Sequence, residues 1–156
     1  MGGTFNAQII TKEQVPVPVA DGYMITETAD GRYSVVKAEA KIGTTTYPTI
    51  YDALAAVPTD GTLTTITLNK DVDASSKITV AKGQNILLDL GGFTVNLTDT
   101  TKEGPITVNG TLAVKNGTIK DELGTARRWT IRVFGDNSIA TLELLEGAFI
   151  DSNADY

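Results

Sequence analysis

From residue 62 onward, apolar and polar positions alternate in short runs separated by Gly, Asn and Asp. The runs cover residues 65–68, 78–80, 86–90, 94–97, 106–108, 111–114, 131–133 and 140–145. Alternation at period two predicts strands that bury one face. Three longer segments share a form: LLDLGGFTV (87–95), TLAVKNGTI (111–119) and TLELLEGAFI (141–150). Each has two apolar residues two apart, then a glycine, then an apolar end. The pairs are Leu88 and Leu90, Leu112 and Val114, and Leu142 and Leu144; the glycines are Gly92, Gly117 and Gly147. A second motif precedes each segment: ITV at 78–80, ITV at 106–108 and IRV at 131–133.

Leu88 to Leu112 spans 24 residues and Leu112 to Leu142 spans 30. Several short strands within such a period predict stacked coils, a β-solenoid, because one coil alone cannot bury its inward residues. Glycines then fall where the backbone turns between faces. A leucine-rich repeat needs a helix or 3₁₀ turn in each unit, and none recurs here. A β-sandwich accommodates many strands but not the same two motifs in the same order.

The first third of the chain reads differently. Residues 1–20 contain VPVPV, whose prolines force an extended arm. Its apolar residues Phe5, Ile9, Ile10, Val15 and Val17 are candidates for docking on another surface. Residues 21–46 read as a β-hairpin, with strands from Tyr23 and Tyr33 and turn chemistry at Ala29-Asp30-Gly31-Arg32. Residues 49–57, TIYDALAAV, read as a short helix with Thr49 as N-cap and Asp52 three residues on. Ile50, Leu54 and Val57 share one face, and Pro58 ends it.

The stretch from Tyr47 to Ile119 resembles the entry coils of right-handed parallel β-helix proteins of the pectate-lyase-like kind, as found in phage fibre and spike proteins and bacterial surface proteins. The residues that carry it are TIYDALAAV, TTITLNKDV, KITVAKGQNILLDLGGFTV and ITVNGTLAVKNGTI. The resemblance implies a mainly β fold, a parallel β-helix over residues 47–156. It implies that the helix plugs the first coil through Ile50, Leu54 and Val57. The chain stops at Tyr156 directly after a coil, so an uncapped end is expected.

Composition narrows the chemistry. Cysteine and histidine are absent, which excludes disulfides, zinc sites of the Cys/His type and His-based nucleophile pairs. Thirteen basic and 19 acidic residues give a net charge of −6, which argues against nucleic acid as a partner. No signal-peptide pattern and no run of membrane-spanning length is seen, so neither secretion nor membrane insertion is expected. The 24 threonines suit outward strand positions.

The resemblance brings polysaccharide lyases and hydrolases into view. Glycoside hydrolysis needs two carboxylates at a set separation. The acidic candidates are Asp71 with Asp73, Asp89, Asp121 with Glu122, Glu143 and Asp151; none aligns with another one coil away. The hydrolase pattern of the family includes a His that this chain lacks. No calcium loop and no phosphate-binding glycine motif is present. No catalytic residue, metal or cofactor is therefore expected. Arg127, Arg128 and Trp129 combine an aromatic ring with guanidinium groups beside a loop that breaks the repeat, and form the candidate binding trio.

These readings favour a non-catalytic structural protein of a viral (phage) particle: a head fibre, decoration protein or tail-spike component, docked by its arm and located in the virion. Other structural proteins, further copies of itself (a trimer among the possibilities) and a host glycan are the expected partners. The alternatives are a fragment of an adhesin at the bacterial cell surface and the N-terminal part of a carbohydrate-active enzyme.

Overall fold

The computed structural model describes residues 19–99, 104–121, 129–135 and 139–152. The docking candidates Phe5, Ile9, Ile10, Val15 and Val17 lie outside these residues, as do Glu122, Arg127 and Arg128.

Strands β1 (Tyr23–Glu27) and β2 (Tyr33–Lys37) pair antiparallel. Gly31, at φ 75°, closes their turn by donating its N–H to the Thr28 carbonyl. The returning run does not stay in this hairpin. β3 (Ala40–Ile42) leaves it and pairs antiparallel with both β4 (Thr45–Tyr47) and a strand of the largest sheet.

Helix α1 (Ile50–Ala55) has only six residues, so its stability must come from contacts rather than propensity. Thr49 is its N-cap, accepting from Asp52 N with Oγ1 at 3.2 Å. Ile50 N donates to Glu39 Oε2 at 3.0 Å, which places a carboxylate at the helix start. At the other end, the buried Gln84 amide donates to the Leu54 and Val57 carbonyls at 2.9 and 3.1 Å. Leu54 O also accepts from Val57 N at 3.3 Å, so it is the Val57 carbonyl that Gln84 chiefly satisfies at this helix end. Ile50, Ala53, Leu54 and Val57 are buried beneath it.

Eleven strands follow: β5 (Leu63–Leu68), β6 (Val72–Ala74), β7 (Ile78–Val80), β8 (Asn85–Asp89), β9 (Thr94–Leu97), β10 (Ile106–Val108), β11 (Thr111–Lys115), β12 (Gly117–Asp121), β13 (Ile131–Val133), β14 (Thr141–Leu144) and β15 (Ala148–Ser152). They form three sheets, in the orders β13-β10-β7, β14-β11-β8-β5-β3-β4 and β15-β12-β9-β6. Every pairing among β5–β15 is parallel and joins strands three apart in the chain. The registers build apolar columns. One runs Ile78, Ile106, Ile131; another runs Ile66, Leu88, Val114, Leu144; a third runs Val72, Val95, Ile119, Ile150. A single apolar cluster draws side chains from all three sheets and from α1.

The protein is thus mainly β, with mixed and parallel sheets. The resemblance to pectate-lyase-like β-helices is not upheld. The described strands form separate sheets of two, three, six and four strands, and no closed solenoid. The largest sheet is mixed because β3 and β4 enter it antiparallel. The sequence repeat specifies which strand pairs with which, but not how one sheet meets the next.

Candidate interaction surface

The two ends of the sheets differ. At the first, the outer edge of β5 is occupied by β3, and α1 covers the apolar cluster. Tyr51 on α1 secures this cover: its hydroxyl donates to Ser76 O at 2.7 Å and accepts from Ser76 N at 3.0 Å. Partial burial raises the Tyr51 pKa, so the hydroxyl keeps its proton.

At the other end, β13, β14 and β15 have no described strand on their outer edges. Their columns continue to the surface. Val108 is fully buried, and Val133 beside it is 44% exposed. Val114 is fully buried, and Leu144 is 50% exposed. Ile119 is 1% exposed against 37% for Ile150. Phe134, Leu145 and Phe149 are exposed around this end. Three unpaired parallel edges with apolar inward residues are a pairing template, the arrangement most folded proteins cover.

Arg132 stands at the middle of β13, in register with Thr107 and Thr79. Its guanidinium carbon lies 4.7 Å from the Phe134 ring centre and 5.7 Å from that of Trp129, within cation–π range of both. Among the described residues no carboxylate forms an ion pair with it. Of the predicted trio only Trp129 is described, and it is half exposed beside Arg132. Arg132 and Phe134 were missed as site residues. The signal was present in the third motif, IRV, where a cation replaces the threonine of the two ITV copies. Among the described residues the buried Thr107 hydroxyl, in register with Arg132, has no hydrogen-bond partner.

The acidic candidates do not converge. Asp71 accepts from Thr94 N at 2.8 Å, and Asp73 accepts from the Asn96 amide at 2.9 Å. Asp89 accepts from Gly91 N and Asn116 Nδ2, both at 3.1 Å, and pairs with Lys115 at 3.1 Å. Partial burial pushes the Asp89 carboxyl up. The hydrogen bonds from Asn116, Lys115 and Gly91, with the Lys115 charge, outweigh that and hold it below the usual range. Asp121 is buried and accepts from Thr130 Oγ1 at 3.2 Å. Glu143 and Asp151 are exposed at the open end. Among the described residues no three acidic side chains gather as a metal site, and no helix is long and apolar enough to cross a membrane.

Compared with protein-family models, curated proteins and solved structures, the chain gives no match. The resemblance to pectate-lyase-like proteins therefore has no relative to support it, and none of that family's residue roles is carried onto this chain.

Proposed function

We propose that the chain is a non-catalytic structural module of a larger protein assembly, with a viral particle as the setting. The observation that carries this reading is the inequality of the two ends: at one, α1 packs on the apolar cluster and β3 occupies the β5 edge, leaving only the edges of β6 and β7 without a described strand, and the other offers three such strand edges and exposed apolar residues. Such an end suits β-pairing with another polypeptide, in which main-chain hydrogen bonds supply affinity and side-chain columns supply register. We read the parallel pairings of β5–β15, spread over three sheets of which the largest is mixed, as successive faces of an open β-solenoid. The three-apart pairing of β5–β15 and the single shared apolar cluster support that reading. The threonine-rich strands and the VPVPV segment fit a fibre, decoration or spike component.

Immunogold labelling of assembled particles from the source culture tests the setting. Label on the particles is expected; label confined to free protein overturns it. Turnover of polyuronides or other glycans by the purified chain, lost on changing Asp71 and Asp73 to Asn, would overturn the non-catalytic reading.

A further inference from the structure

We infer that the open end pairs with a second copy of this chain about a two-fold axis. The inference rests on the structural-module reading and names the first partner of that surface.

The shape of the two ends limits how copies can join. Head-to-tail stacking of whole layers needs all three first-end edges free; β3 occupies that of β5, and α1 packs on the apolar cluster beside it, although β6 and β7 have no described strand on their outer edges. Self-association of one complete three-strand layer on another is then left to open end against open end, an isologous contact that closes on itself. The area is sufficient. Val133, Phe134, Leu144, Leu145, Phe149 and Ile150 are each between about one-third and two-thirds exposed. With aromatic side chains carrying about 150–250 Å² each, the six leave on the order of 500 Å² of apolar surface. The adjoining strand edges bring this toward the roughly 800 Å² per partner of a standard interface.

Charge selects among the ways of pairing. In a two-fold pair one edge meets its own copy antiparallel, and the other two edges exchange. An axis at β13 would bring Arg132 near its own copy and Glu143 of β14 near Asp151 of β15, all like charges. An axis at β14 sets Arg132 across from Asp151 of the second copy; an axis at β15 sets it across from Glu143. Glu143 and Asp151 occupy the same outward face of their strands as Arg132 does of β13. Among the described residues none of the three has an ion-pair partner within its own chain. The rings of Trp129 and Phe134, each within cation–π range, position the guanidinium for such a contact.

Sedimentation equilibrium of the 156-residue chain from low to high micromolar concentration is expected to show a monomer–dimer equilibrium. Arg132→Glu is expected to weaken the dimer at least tenfold. Adding Asp151→Arg or Glu143→Arg is expected to restore it, and the variant that restores it locates the axis. Leu144→Asn, on the apolar part of the face, is expected to weaken the dimer independently of charge. Circular dichroism confirms that each variant is folded. A chain that stays monomeric, or that forms trimers, overturns the two-fold pairing. A dimer indifferent to both Arg132→Glu and Leu144→Asn places self-association elsewhere and overturns it too. Loss on Arg132→Glu that neither partner change restores overturns the charge pairing. A monomeric result leaves the structural reading to be judged on the labelled particles.

Discussion

Gly92 and Asn116 occupy matching positions just before the paired strands β9 and β12, both with left-handed backbone, at φ 88° and 56°. Gly92 N donates to Asn116 O at 2.6 Å, and Gly147, at φ 74°, stands at the matching position before β15. Asn is the side chain that best tolerates this conformation. Here its amide also reaches Asp89. Asn116→Gly loses only the side-chain bond; Asn116→Ala loses it and adds backbone strain. The alanine variant is expected to be less stable than the glycine variant by about 1 kcal/mol in urea denaturation. Equal stability of the two would show that the position does not require left-handed backbone.

Gln84 joins the helical cover to the strands. Its amide donates twice to α1 carbonyls, and its Oε1 accepts from Ala81 N at 2.8 Å. Gln84→Leu keeps the volume and removes the described partners of Ala81 N and Val57 O, while Leu54 O keeps its bond from Val57 N. A loss of about 2–3 kcal/mol is expected from chemical denaturation. Gln84→Glu should cost at least as much at neutral pH, because a carboxylate cannot donate to the Leu54 and Val57 carbonyls.

Asp89 makes stability depend on pH. Its carboxyl is held below the usual aspartate range in the folded chain. Its contribution is therefore complete above the unfolded value of about 4 and is lost as pH falls through the lower folded value. Asp89→Asn keeps the shape but not the charge. The stability gap between wild type and Asp89→Asn is expected at neutral pH and should close in acid. A gap that is constant from neutral pH down to acid would show that the ion pair with Lys115 contributes nothing.

Ile119 and Ile150 stand side by side in one column, yet one is enclosed and the other half open. Ile119→Ala is expected to cost about 2–4 kcal/mol, as a buried aliphatic truncation does. Ile150→Ala in the monomer should cost under about 1 kcal/mol, because little area leaves water-free surroundings. Denaturation of both variants below the dimer's dissociation range makes the comparison. Similar losses would mean that the open end is covered in solution.

Much of the strand pairing was legible in the sequence. The ITV, ITV and IRV motifs align residue for residue, because an apolar–polar–apolar triplet admits only one register with both apolar ends inward. The longer segments align less simply. Val114 pairs with Leu88, not Leu90, because Leu90 lies past the end of β8. Gly117 is likewise not the equivalent of Gly92; Asn116 is. Gly117 is needed for space instead, since a β-carbon there would overlap the Phe93 carbonyl oxygen and Leu90. A search for glycine finds both kinds of position without separating them. β6, Val72–Ala74, escaped notice because, unlike the ITV, ITV and IRV triplets of the same length, its VDA triplet carries one β-branched residue and is not repeated further along the chain. Arg132 was not anticipated, because its meaning depends on the Trp129 and Phe134 rings that lie near it only once β13 is formed.

The covered end gives the layers a direction. In the largest sheet β5, β8 and β11 lie between neighbours on both sides, whereas β14 is held from one side only; β13, β15, β6 and β7 are likewise one-sided among the described strands. In the β14-β11-β8-β5 ladder each strand protects the one before it, so amide protons should exchange fastest in β14 and progressively more slowly toward β5. The covered layers also come earlier in the chain. During synthesis each new layer would arrive on a finished one, and the surface left exposed at any moment would be the template for the next.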